Sequence, residues 1–173
     1  MKKKLYTVLT LALILILSTS TVSAAGFKLS AGFKLGSLIA DGYAYGLGNT
    51  DVTIQLDASG IPLITCTNQG GTQAPGQNPP KVSASGNEFL NHNDYTKNGR
   101  SAFNVETSEP QPGLSAKKMG CPSNTWTASI DFVFWTNATI SMFDTATGTL
   151  LFKQDYTCVT THNPDSITCT PVP

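Results

Sequence analysis

Trp126-Thr127-Ala128-Ser129-Ile130-Asp131-Phe132-Val133-Phe134-Trp135 is the stretch whose reading decides the fold. Trp126, Ala128, Ile130, Phe132 and Phe134 share one parity, and Thr127, Ser129, Asp131, Val133 and Trp135 share the other. A period of two marks a β-strand with one face in a core, because successive side chains of an extended chain point to opposite sides. The first set is expected to be that core face. Trp135 then falls on the opposite face, with two roles open to it. It is an exposed indole plane for a sugar ring or a protein contact, or it is covered by a loop, the N-terminal strand or the C-terminal hairpin.

Working outward, Ala138-Thr139-Ile140-Ser141-Met142 continues the strand, Asp144 to Gly148 reads as a turn, and Leu150 to Tyr156 pairs back as a hairpin. Upstream, Val52 to Leu56 and Ile61 to Thr67 read as strands flanking Asp57-Ala58-Ser59-Gly60, which has the composition of a hairpin loop. Shorter strands are expected at Lys81 to Ser85 and Ser101 to Thr107. The proline-bearing segments Asn68 to Pro80 and Ser108 to Asn124 are expected to be long loops. Near the start, Ala25-Gly26-Phe27-Lys28-Leu29-Ser30 is followed by Ala31-Gly32-Phe33-Lys34-Leu35-Gly36, a tandem repeat with apolar residues on one parity and both lysines on the other. That is a strand, with a bend or bulge expected at Gly42 and Gly46. After the first 24 residues no apolar helical periodicity persists. About eight short strands with Gly, Pro and Asn turns point to an all-β fold: an antiparallel β-sandwich, immunoglobulin-like in architecture, with a small closed barrel as the alternative.

Met1-Lys2-Lys3-Lys4, the apolar run Leu5 to Leu17 and Val22-Ser23-Ala24 form the three parts of a signal peptide, with cleavage expected after Ala24. A helix over that run rises about 20 Å, short of the roughly 30 Å of a bilayer core. The first cysteine is Cys66, so no lipid-attachment cysteine follows the run. Residues 25–173 are expected to form one domain with a repeat strand at 25–36 and a disulfide hairpin at 157–173. Cleavage leaves eight basic side chains against eleven acidic ones, which argues against nucleic acid and against anionic membranes as partners. In an exported chain four cysteines read as two disulfides. Cys158 and Cys169 flank the turn residues Asn163-Pro164-Asp165-Ser166, so they pair across a hairpin and Cys66 is left for Cys121. A four-thiolate metal site is disfavoured, since such ligands usually come in close pairs.

The segments Gly46-Leu47-Gly48-Asn49-Thr50-Asp51-Val52-Thr53, Cys66-Thr67-Asn68-Gln69-Gly70-Gly71, Ala74-Pro75-Gly76-Gln77-Asn78-Pro79, Gly120-Cys121-Pro122 and Asn124-Thr125-Trp126-Thr127 carry a resemblance. Over roughly Leu38 to Met142 the chain resembles a family of small exported bacterial β-domain proteins of uncharacterised function. The resemblance implies a shared fold and transfers no activity, and the segment from Tyr156 onward looks like an addition to the common part.

Chemistry-bearing residues are sparse. His92 and His162, with Asp94 and Asp165 near them in sequence, lie in turn-rich loops without a nucleophile elbow. Glu88, Glu106 and Glu109 fall in or beside polar loops, where a paired glycosidase arrangement is not expected. The oxygen-rich Asn91 to Asp94 loop lacks the spacing of a calcium loop, and Asn137-Ala138-Thr139 is read as plain strand despite its sequon. No catalytic residue, metal or cofactor is therefore assigned. Ligand contacts are expected from Trp135 and from the amide-rich loop bearing Asn68, Gln69, Gln73, Gln77 and Asn78. The leading expectation is a secreted, non-catalytic structural or interaction module binding another surface protein. The alternatives are a carbohydrate-binding module for extracellular polysaccharide and, behind it, a small secreted hydrolase or inhibitor. Self-association through the N-terminal repeat strand is a further expectation, because exposed sheet edges accept strands.

Overall fold

The computed structural model describes residues 27–35 and 37–173. The expected signal peptide and cleavage site, with Ala25, Gly26 and Gly36, lie outside the described residues. The elements are β1 (Lys28–Lys34), β2 (Ile39–Tyr45), β3 (Val52–Thr67), β4 (Gln73–Pro75), β5 (Val82–Leu90), β6 (Ser101–Glu106), β7 (Thr127–Asp144), β8 (Leu150–Thr161) and β9 (Ser166–Pro171), with one short 3-10 turn at His92–Asp94. β1-β2-β6 form a three-stranded sheet. β4-β3-β7-β8-β9, with β5 also on β3, form a six-stranded one. All pairings are antiparallel, and the two sheets remain open: the fold is a sandwich and not the closed barrel.

The core lies between the sheets. Leu38, Ala40, Ala44, Phe103 and Val105 enter from the small sheet side, and Ile54, Leu56, Ile64, Ile140 and Met142 from the large one. The repeat strand behaves as its alternation predicts: Phe27, Leu29, Ala31, Phe33 and Leu35 pack against the core while both lysines stay out.

β3 corrects the sequence reading. Val52 to Thr67 is one continuous strand, and Asp57 to Gly60 is its middle, not a hairpin loop. Val52, Ile54, Leu56, Ala58, Gly60, Pro62, Ile64 and Cys66 all point inward without a break in parity. Gly60 is there for space: a β-carbon at that position would lie 2.5 Å from the Phe134 carbonyl oxygen. Small residues under a closely packed partner imitate a turn in composition while the strand runs straight on.

β7 carries the second correction. Against β3 its register slips twice, Gly60 pairing with Trp135 after Ser59 pairs with Asn137, and Ile64 pairing with Ile130 after Leu63 pairs with Phe132. Thr136 and Asp131 are thus extra residues, β-bulges that each flip the alternation. Ile130 and Ala128 therefore share the inner face with Val133 and Trp135, and Phe132 and Phe134 turn outward.

Both disulfides form as expected, Cys66 with Cys121 and Cys158 with Cys169. The first ties the end of β3 to the long loop before β7. The second joins β8 and β9 at directly facing positions. Among the described residues no helix is long and apolar enough to cross a membrane.

Candidate functional site

The second bulge builds the most distinctive surface of the molecule. On the outer face of the large sheet, Ile61 of β3 stands opposite Phe134 of β7, and Leu63 stands opposite Phe132. Ile61 is 44% exposed and Leu63 39%, unusual for aliphatic side chains in the middle of a sheet. Phe132 and Phe134 meet edge to face with centroids 5.1 Å apart, and the His162 ring lies 4.6 Å from Phe132. His162 arrives from the β8–β9 turn, where its Nδ1 is 2.6 Å from an Asp165 carboxylate oxygen. A polar rim borders the strip, in which Asp131 accepts hydrogen bonds from the Thr65 and Ser129 hydroxyls.

Further along the same face the strip gives way to a hydroxyl-lined trough of about 480 Å3 bounded by Asp57, Ser59, Ser83, Ser85, Asn137 and Thr139. Thr139 donates to Asp155, which also meets Lys153. These contacts, the Thr139 hydroxyl first, hold the Asp155 carboxyl below its usual range.

β7 also has an edge that is half used. β8 pairs with it only from Asn137 to Phe143; nearer the N-terminus the strand has ladder pairing with β3 alone among the described residues. The β8–β9 hairpin runs on beside this lower half without joining its ladder, touching it through the Thr160 hydroxyl, which donates to the Trp135 carbonyl at 2.9 Å. Between them lies a groove of about 680 Å3 floored by β7 from Ala128 to Val133 and walled by Asp165, Leu35, Ser37 and the loop from Glu109 to Pro112.

The expected contact residues are distributed differently. Trp135 is covered: 1% exposed, with its indole N–H unpaired in the core, it offers no plane to a ligand. The Asp131 bulge is the reason, since it breaks the parity that placed the indole outside. Asn68 is occupied in its own turn, its side-chain oxygen accepting from the Thr72 N–H at 2.8 Å. The Gln77 backbone is held by the Gly120 carbonyl. Gln69, Gln73, Gln77 and Asn78 are exposed along the loop edge, and of these Gln73 lines a hollow with Leu63, Thr65 and Asp131 beside the aromatic strip.

His92 has a partner that sequence proximity did not suggest. Its ring Nδ1 and backbone N–H both meet Asp51, at 2.7 and 2.8 Å, whereas Asp94 had been the nearer residue in sequence. The backbone and ring contacts from His92 hold the Asp51 carboxyl below its ordinary value of 3.8. Beside them the Tyr95 hydroxyl donates to the Thr50 and Leu90 carbonyls, and burial, aided by the Asp51 charge, pushes it up to about 12. This cluster fastens two loops. Each imidazole hydrogen-bonds a carboxylate, His92 with Asp51 and His162 with Asp165, and Glu88 is taken up by the Asn104 N–H at 2.6 Å. Among the described residues no three His, Cys, Asp or Glu side chains stand together as metal ligands.

On the small sheet, Arg100 lies 3.6 Å over the Tyr43 ring, a cation–π stack that caps this aromatic.

No family model, curated protein or solved structure matches the chain.

Proposed function

We propose that the chain is an exported, non-catalytic interaction module that docks another polypeptide through the outer face of β3 and β7. The observation that carries this reading is the strip in which exposed Ile61 and Leu63 stand beside half-buried Phe132 and Phe134, rimmed by Asp131, Asp165, Thr65 and Ser129. An apolar centre with aromatic residues inside a polar rim is the composition of a protein interface. Export is supported by the leader pattern at residues 1–24 and by two disulfides with no free cysteine, a state favoured outside the reducing cytoplasm.

Polysaccharide is the second reading, favoured by one observation: the hydroxyl-lined trough adjoins the phenylalanine strip on the same face, so a chain of sugars could stack and hydrogen-bond along it. One experiment separates the two. Wild type and the Ile61→Ser, Phe134→Ser variant are cross-linked at the surface of the producing cells and also run through gels containing soluble polysaccharides. Polypeptide docking predicts a discrete cross-linked species lost in the variant while its circular dichroism spectrum and both disulfides are retained. The same species in both proteins contradicts the outer face as the docking surface, and retardation by one polysaccharide, lost in the variant, selects the second reading.

A further inference from the structure

Below Asn137, β7 has a ladder partner on its β3 side only among the described residues, and the β8–β9 hairpin meets it through side chains, Thr160 at Trp135 and His162 at Phe132. Pro62 lacks an N–H and can join the β3–β7 ladder only with its nitrogen turned away from β7. In an antiparallel pair both residues of such a rung turn their polar groups outward, which aims the N–H and C=O of Val133 at the groove. The groove runs along six consecutive strand residues, Ala128 to Val133, with apolar side chains on its inner side. Its charged lining is wholly acidic: Glu109, Asp131 and Asp165, with no lysine or arginine.

The complement to that lining is in the chain itself. Each six-residue unit of the repeat at 25–36 offers Phe and Leu on one parity and a single Lys on the other. Laid along β7, such a strand sets Phe and Leu toward Ala128, Ile130 and Val133, and its lysine toward Asp131 and Asp165. The described part of the repeat is an edge strand. β1 pairs with β2 only and has no fully buried residue; it is held by partly buried apolar contacts, Phe33 meeting Tyr156 at 5.0 Å among them, and by one ion pair, Lys34 with Asp41 at 3.1 Å.

We propose that the β7 groove receives the N-terminal repeat strand of a second copy of this chain, adding a strand between β7 and the β8–β9 hairpin and linking copies head to tail. The inference rests on the reading of the chain as an interaction module, but on a different surface from the outer strip.

The test uses the oxidised mature chain, with the synthetic peptide Ala25–Gly36 as probe. Expected are saturable binding, slowed amide exchange across 128–133, and binding weakened roughly tenfold when both peptide lysines become glutamate or when the protein carries Glu109→Lys with Asp131→Lys. The Ile61→Ser, Phe134→Ser variant should bind the peptide as wild type does, so failure of the outer-face reading leaves this result intact. Absence of saturable binding, equal affinity for the charge-reversed peptide, or protection confined to 39–45, where the peptide would have displaced β1 from β2, each overturns the proposal.

Discussion

Trp135 shows how much one residue's position depends on its neighbours in the chain. By parity alone it faces away from Ile130, yet the two share the core because Asp131 is an extra residue between them. Nothing in the composition of the strand announces a bulge, so the indole was legible as important but not as internal. Trp135→Ala should lower stability by about 3–5 kcal/mol, the cost of emptying a large aromatic site, seen as a shift in the denaturant midpoint. A near-neutral effect would place the indole outside. His92 and Asp51 offer a second check at this scale. Asp51 is held below its ordinary value, so its contribution is present above 3.8 and is lost as pH falls through the lowered folded value. Asp51→Asn should accordingly melt earlier than wild type at neutral pH, and the gap should narrow in strong acid. Melts at pH 7 and pH 2 measure it, and a gap that widens in acid contradicts the assignment.

At the scale of elements, the sequence was most informative where alternation ran unbroken and least where small or polar residues sat inside a strand. β1, β6 and the Leu150 hairpin were legible because their apolar residues recur every second position. β3 was divided at Asp57 to Gly60 because small residues packed beneath another strand resemble a turn. The bulge itself is testable. Since Asp131 is the unpaired residue, deleting it restores regular pairing of Leu63 with Phe132 and Ile64 with Ile130 without turning any side chain over. The deletion should keep the circular dichroism spectrum and both disulfides, whereas deleting Thr139, a regular rung, should unfold the chain by reversing the faces on one side. Equal damage from both deletions would rule out the bulge as described. The disulfides differ in access: Cys66 and Cys121 are buried, while Cys169 is half-exposed. Limiting reductant should open Cys158–Cys169 first, read by thiol labelling. Removing Cys66–Cys121 should destabilise by about 4 kcal/mol against about 3 for the shorter loop.

For the whole molecule, the sandwich, its two disulfides and the repeat strand were readable from spacing and parity. The outer strip and the β7 groove were not, because the strip arises where two bulges redirect Phe132 and Phe134, and the groove where β8 leaves β7 after seven rungs. Both features belong to strand register, which a single sequence carries only indirectly. The account therefore turns on the lower half of β7 being a surface open to a partner and not a closed interior. Residue-resolved amide exchange on dilute, oxidised mature protein tests this most directly. The alternate amides of 128–133 that face away from β3, Val133 among them, should exchange far faster than the β8-facing amides between Asn137 and Phe143; equal protection in the two halves would mean the groove is already closed, and would contradict the account.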